Sequence, residues 1–417
     1  MDFIKDASPK LLISLFPVLI TTVPHGGSTI YGLIFLFGLA LGWTKWHLLD
    51  IPEKKVLIGF VVFFGLICLS LLNTEDYTTG VKKIGRYAHF PLFIPMYILI
   101  KKYQIEAGKA FLAGILVASV VILIQVLYQT NALGFGRAVG AYNPIVLGSL
   151  SMFFALIIVC ALLTVSSERK HYIIGLLAIG MLLFSSVMTG SRGAWILLPV
   201  MFLWLLWIKR KKLSIVNIMS ILVVSVLFLS AALSVKSVNN RINIAIVEYQ
   251  VYSDDSIKRG SVAYRLELWK DSMTIWRKNP FIGTGVGDFK ADRWRLFRSG
   301  VSQLDRPLTH AHNIYFNALS TTGLVGFLAM LVFMQIIPFH MFYLFWVKEQ
   351  NLWIKFYALS GMTTIIAFAV FGLTEDWLAR NPFIRTYLMS ILVFMSSIVV
   401  IQSKANEAIS HKPLFKL

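Results

Sequence analysis

The chain has 417 residues, of which 57% are hydrophobic and 14% charged, with a formal net charge of +19. Soluble domains carry nearer a quarter charged residues, so a soluble globular fold is excluded. Apolar stretches long enough to cross a hydrocarbon core recur from end to end, which identifies an all-α polytopic integral membrane protein. Runs such as "VLIGFVVFFGLICLSLL" do not alternate, which excludes a β-barrel.

In chain order the apolar pattern predicts about 12 transmembrane helices. They run near 11–24, 28–42, 56–72, 86–100, 108–130, 144–165, 172–188, 194–208, 213–235, 313–346, 353–373 and 385–402. The tenth is long enough to be tilted, or to begin as a helix standing outside the membrane. No cleavable signal peptide is expected, because "LLISLFPVLITTV" lacks a small-residue cleavage site. Cys68 and Cys160 lie in apolar spans, so no disulfide framework is expected.

Basic residues orient these spans. One set of connections, with both tails, holds nineteen Lys and Arg, including Lys54, Lys101, Lys170, the run Lys209 to Lys212, and Lys404. The short loops of the opposite set hold seven: Lys82, Lys83, Arg86, Arg137, Arg192, Arg380 and Arg385. By the positive-inside rule the first set and both termini are cytoplasmic, so the positive net charge marks topology rather than nucleic acid. The chain divides into an N-terminal bundle of about nine helices (1–235), one large outer loop (236–312), and a C-terminal bundle of about three helices with a tail (313–417).

The long loop carries thirteen basic and eight acidic residues. Loops of this length are commonly lids or binding elements. Within it, "SVAYRLELWKDSMTIWRKNP" spaces Tyr264, Leu268, Met273 and Ile275–Trp276 helically, and Asn279-Pro280 ends the pattern. An amphipathic helix lying at the outer membrane surface is expected.

Candidate chemistry gathers on this outer side. "MTGSRGAW" (188–195) holds Arg192 in a very short turn, where Gly190 and Gly193 let backbone approach a ligand; an interfacial arginine that snorkels would look the same. Arg265 lies within the loop helix, where a salt bridge to Glu267 or Asp271 is the plain alternative. His310 and His312 alternate by two, as metal ligands might, but no neighbouring Cys or well-spaced carboxylate completes a zinc site. An imidazole at this boundary suits a general base. "GRAVGAYNP" (136–144) adds Arg137, and Gly323 and Gly326 thin the tenth span enough to admit a neighbour or lipid. "FIGTGVGDF" (281–289) looks like a phosphate loop, but no β-α setting surrounds it, and flexible turns explain it. Lys, Asp and Glu are nearly missing from the span interiors, which disfavours an ion-coupled transporter.

The ordered set "TGSRGAW", "YRLELWKDSMTIWRKNPFIGTGVGDF" and "HAHNIYFNALSTTGLVGF", with the span count and loop position, resembles the bacterial O-antigen ligase and O-antigen polymerase superfamily. The overall size is most similar to lipopolysaccharide O-antigen ligases. The resemblance implies a GT-C-like fold in the bacterial inner membrane with its active site in the periplasm. It implies glycan transfer from undecaprenyl diphosphate to the lipid A-core acceptor, with no cofactor. Arg192 and Arg265 match the family's essential arginines and His312 its essential histidine. His310 and Asn313 belong to the same motif, and Arg137 resembles an arginine of a more variable outer loop; all three are placed with substrate binding. No Asp-x-Asp sequence occurs, so no metal is expected. The alternatives are an O-antigen polymerase with the same donor, a protein-directed ligase, and, from another class, a flippase or transporter of lipid-linked glycans. The lack of a large outer domain near the C-terminus weighs against the protein-directed type.

Overall fold

A computed structural model describes residues 2–41, 46–209, 243, 261–305 and 308–410. Among them the regular elements are all helical, and seven helices are long and apolar enough to cross a membrane. Three shorter apolar helices accompany them. The chain is a helical multi-pass membrane protein, because a backbone in lipid must satisfy its own hydrogen bonds. The expected ninth span, 213–235, and residues 236–260 apart from 243 lie outside the described residues.

The first half comprises α1 (Asp2–Thr22), α2 (Gly26–Leu41), α3 (Ile51–Leu69), α4 (Tyr77–Tyr87), α5 (His89–Lys102), α6 (Ala107–Leu127), α7 (Pro144–Thr164), α8 (Arg169–Met188), α9 (Arg192–Trp195) and α10 (Leu197–Lys209). The second half comprises α11 (Ser261–Lys278), α12 (Phe289–Arg298), α13 (Ile314–Ala329), α14 (Ile337–Lys348), α15 (Leu352–Gly372) and α16 (Asn381–Ser410). A π-helical stretch over Met330–Ile336 joins α13 to α14. α7, α15 and α16 are buried over most of their length and form the centre, whereas α3, α6 and α8 bury less than half of theirs. Apolar residues all round a helix are what such a setting needs. Phe368 of α15 meets Phe153, Trp377, Phe383 and Tyr387 edge-on, so the turn between α15 and α16 is anchored by a buried aromatic cluster.

α4 is an amphipathic helix that the apolar pattern did not foresee. Its Asp76 cap accepts from Thr79 N at 3.0 Å, and Lys82, Lys83 and Arg86 ride on it. The charges counted for topology are thus part of a helix.

The tenth span is not one continuous helix. α13 is broken at Gly323, whose φ of 63° and ψ of −165° suit only glycine. Its first turns pack against α11, and the stretch from Leu324 to Lys348 is about 37 Å of helix, enough to cross a bilayer core. Residues 280–285 satisfy the backbone groups freed by the break. Thr284 N donates to Ser320 O (3.2 Å) and Gly285 N to Thr321 O (2.9 Å), while Leu324 N and Val325 N donate to Pro280 O (2.8 Å) and Phe281 O (3.0 Å). A Cβ on Gly283 would stand 2.4 Å from Thr321 C, and one on Gly323 2.4 Å from Phe281 C. Gly283 and Gly285 of "FIGTGVGDF" therefore clasp a broken helix instead of forming loose turns, while Gly287 packs against Asp76. Gly323 admits this clasp, whereas a Cβ on Gly326 would meet its own helix at Thr322.

α11 extends from Ser261 to Lys278 as expected, with Asn279-Pro280 beyond its end. Its Leu268 and Ile275 form a separate small core with Phe289, Leu296, Leu304 and Ala311, and Trp269 stacks on Phe316 at 5.4 Å. The helix is held as part of a folded cap on α13 rather than by its apolar face alone. Within that cap Asp271 is buried and accepts from Ser302 Oγ at 2.7 Å. Burial pushes its carboxyl up to about 6, against the opposing Ser302 bond and the Arg293 charge.

Candidate active site

The histidine stretch is built on the cap of α13. Asn313 Oδ1 accepts from Tyr315 N at 2.9 Å and Phe316 N at 3.2 Å, closing two of the helix's orphan donors. Its Nδ2 donates to Leu373 O at 3.0 Å, which ties this cap to the end of α15. Asn313 is therefore a cap and a strut, and its amide is committed to backbone. His312, just before the cap, sits at φ 49°, a left-handed conformation that His tolerates at some cost.

That conformation turns the imidazole toward Glu375, in the turn after α15. His312 Nδ1 lies 3.2 Å from Glu375 Oε2, and His310 Nε2 lies 3.2 Å from Oε1. Arg380 Nε donates to Oε1 at 3.1 Å, and the two imidazole rings are 4.4 Å apart. Thr309 Oγ1 lies 3.1 Å from His310 Nδ1, so both ring nitrogens of His310 are engaged. An ionised Glu375 accepts only, so it selects the Nδ1–H tautomer of His312 and leaves Nε2 with its lone pair. Among the described residues that Nε2 makes no hydrogen bond, and the side chain is about a quarter exposed, at 24%. Burial raises the Glu375 carboxyl, but the bonds from both histidines and the Arg380 charge outweigh it and hold the group well below the usual carboxylate range.

The fold supplies the carboxylate that no neighbouring sequence offered. His310, His312 and Glu375 present ligand-type atoms within 4.8 Å of one another, so these three are where a cation would sit. Arg380 already pairs with Oε1, and Arg265 also feels the Glu375 charge, so two guanidinium groups compete with any cation for this carboxylate.

The arginines converge on the same place. Burial pushes the Arg265 guanidinium down; the Glu375 charge opposes that shift and the Arg192 charge adds to it. It makes no ion pair among the described residues: Glu267 and Asp271 are buried with the cap and are not its partners. Arg192 opens α9 after Gly190, which takes φ 60°. A Cβ on Gly193 would stand 2.5 Å from Thr374 Oγ1, so this glycine brings the "TGSRG" turn against the Glu375 turn, not against a ligand. Arg137 Nε donates to Thr189 O at 2.7 Å, and Ala138 N to Met188 O at 3.1 Å, so Arg137 braces the turn that carries Arg192.

Glu375 and Asp376 were not singled out from sequence, and Arg380 and Lys83 were read only as topology charges. Asp376 is buried, and that burial raises its carboxyl against the opposing charge of Lys83. The available signal was "TEDWLAR", a pair of acids directly after a span, where ionisable groups are costly and seldom idle.

Residues 176–331 match the family model described as O-antigen ligase. A protein of Haemophilus influenzae described only as uncharacterized is 24% identical over 396 residues, covering 93% of this chain and 97% of its own length. The family match spans Arg192, Arg265, His310, His312 and Asn313, and it places this part of the chain in the O-antigen ligase and polymerase superfamily.

Proposed function

We propose that the protein transfers an O-antigen glycan from undecaprenyl diphosphate to a lipid A-core acceptor, at the periplasmic face of the bacterial inner membrane. The observation that carries this reading is the free Nε2 of a Glu375-oriented His312 beside Arg265 and Arg192. Such a donor is needed where no nucleotide-sugar pool exists. His312 Nε2 takes the proton of the acceptor hydroxyl as its oxygen attacks the anomeric carbon. The bond from that carbon to the diphosphate breaks, and the diphosphate leaves with the electron pair, held by Arg192 and Arg265 through charge-assisted hydrogen bonds. Direct displacement inverts the anomeric centre. Glu375 stabilises the imidazolium that forms, as the carboxylate does in a Ser-His-Asp triad. With two arginines meeting the leaving-group charge, no divalent metal is required.

The test uses purified full-length protein, lipid-linked glycan and lipid A-core, with chelator and without nucleotide. Glycan transfer with an inverted linkage is expected, abolished in His312→Ala. Movement of intact lipid without transfer would overturn the reading in favour of a transporter. Extension of a second lipid-linked glycan in preference to lipid A-core would assign a polymerase.

A further inference from the structure

A second basic cluster lies at the same end of the bundle, one turn along α16 from Arg380. Arg385 Nε donates to His89 Nε2 at 3.0 Å, and its Nη1 donates to Ser28 Oγ of α2. His89 Nδ1 in turn donates to Arg86 O at 2.7 Å, which fixes the imidazole as neutral: one nitrogen gives a proton and the other receives one. Tyr31 Oη holds the backbone of this group by donating to His89 O at 2.8 Å. Tyr142, before α7, places its hydroxyl in the cluster, buried and near the His25 backbone but without a hydrogen bond of regular geometry.

Every partner of Arg385 is therefore uncharged, and among the described residues no carboxylate lies within ion-pairing distance of it. A partly buried guanidinium without a counter-charge loses hydration that no ion pair repays, and such groups are ordinarily paired. Here the fork is fixed by two neutral partners while Nη2 keeps its donors unspent. We infer that Arg385, with Ser28, His89 and Tyr142, forms a second anion subsite that takes the phosphate group of a membrane lipid.

Two features select a lipid over a free anion. The cluster sits at the rim, where α2 turns Leu33, Leu36 and Leu39 outward and Val23 lies exposed in the preceding turn. A headgroup can thus enter sideways with its chains along α2. The loop that supplies Tyr142 also carries Arg137, which braces the Arg192 turn, so the two subsites are neighbours joined by residues 136–144. Resting on the proposed transfer, the first subsite holds the donor diphosphate and the second the phosphorylated acceptor lipid.

The test is calorimetric binding to full-length protein in detergent, in the R265Q background so that the first subsite contributes little. The probes are short-chain phosphatidic acid, inorganic phosphate and short-chain diacylglycerol. Arg385→Gln is expected to weaken phosphatidic acid at least tenfold and Tyr142→Phe about threefold, with diacylglycerol unaffected by either. Unchanged phosphatidic acid affinity in both variants would overturn the subsite, and Tyr142→Phe decides the matter if Arg385→Gln melts early. Inorganic phosphate binding as tightly as phosphatidic acid would overturn the lipid assignment. In the transfer assay Arg385→Gln is expected to raise KM for the acceptor at least fivefold more than for the donor; equal effects would overturn the acceptor role. The binding measurement needs no turnover, so a protein that fails to transfer glycan would remove the proposed function and leave the subsite to be judged separately.

Discussion

His312 Nδ1 and Glu375 Oε2 lie 3.2 Å apart although 63 residues separate them in the chain. The contact gives the two histidines different roles. Both ring nitrogens of His310 are engaged, whereas His312 Nε2 makes no hydrogen bond among the described residues. The carboxylate is itself steadied by Arg380.

Glu375→Gln should therefore lower kcat for transfer on the order of a hundredfold or more, as when an orienting carboxylate is lost from a triad, with little change in donor KM. A glutamine presents both a donor and an acceptor and no longer selects one tautomer. Steady-state transfer kinetics check this, and a rate within threefold of wild type would remove Glu375 from the mechanism.

Glu375 also predicts acid lability. Its folded-state carboxyl is depressed, so its stabilising contribution is present above the unfolded value of about 4.5 and is lost as pH falls toward the folded value. Between roughly pH 5 and pH 3 the melting temperature of wild type should fall more steeply than that of Glu375→Gln.

Asp271 has the opposite sign. Burial raises it from 3.8 to about 6, so its contribution is fully present below pH 3.8 and is lost as pH rises through about 6. Asp271→Asn keeps an oxygen for Ser302 and removes the charge, so it should stabilise the cap above pH 7 by up to about 3 kcal/mol. Hydrogen exchange over residues 261–305, compared at pH 5 and pH 8, measures it; a wild-type cap equally protected at both would refute the assignment.

Gly323→Ala and Gly283→Ala should each destabilise by roughly 3 kcal/mol or more, because each Cβ would enter backbone and each φ is positive. Gly65→Ala, with nothing within 4 Å of the new atom, is the control expected to melt like wild type.

Asn313→Ala should cost about 1–2 kcal/mol for the lost cap, plus the strut to Leu373. Asn313→Asp keeps the cap acceptor but cannot donate to Leu373 O, so its melting temperature should fall between those of wild type and Asn313→Ala.

Several of the candidate residues that the fold brings together could be read from the chain because local chemistry marks them. A short glycine turn around Arg192, an arginine on a loop helix, and His-Asn ahead of an apolar run are all recognisable in sequence order. The roles of the glycines were less legible. Gly193 and Gly283 look like ligand-cradling positions, yet each serves a backbone or side chain from a distant segment. Lys83 and Arg86 read as topology charges because α4 is amphipathic, too polar to register among apolar spans.

The sequence by itself determined that this is a helical membrane protein and roughly where its helices run. Hydrocarbon allows no unsatisfied backbone, so each span must declare itself as an uninterrupted apolar stretch. Tertiary structure alone decided which histidine nitrogen is left unbonded among the described residues, that Glu375 orients that ring, and that the described partners of Arg385 are neutral. Those are relations between the ends of different helices, set by packing that no local pattern encodes.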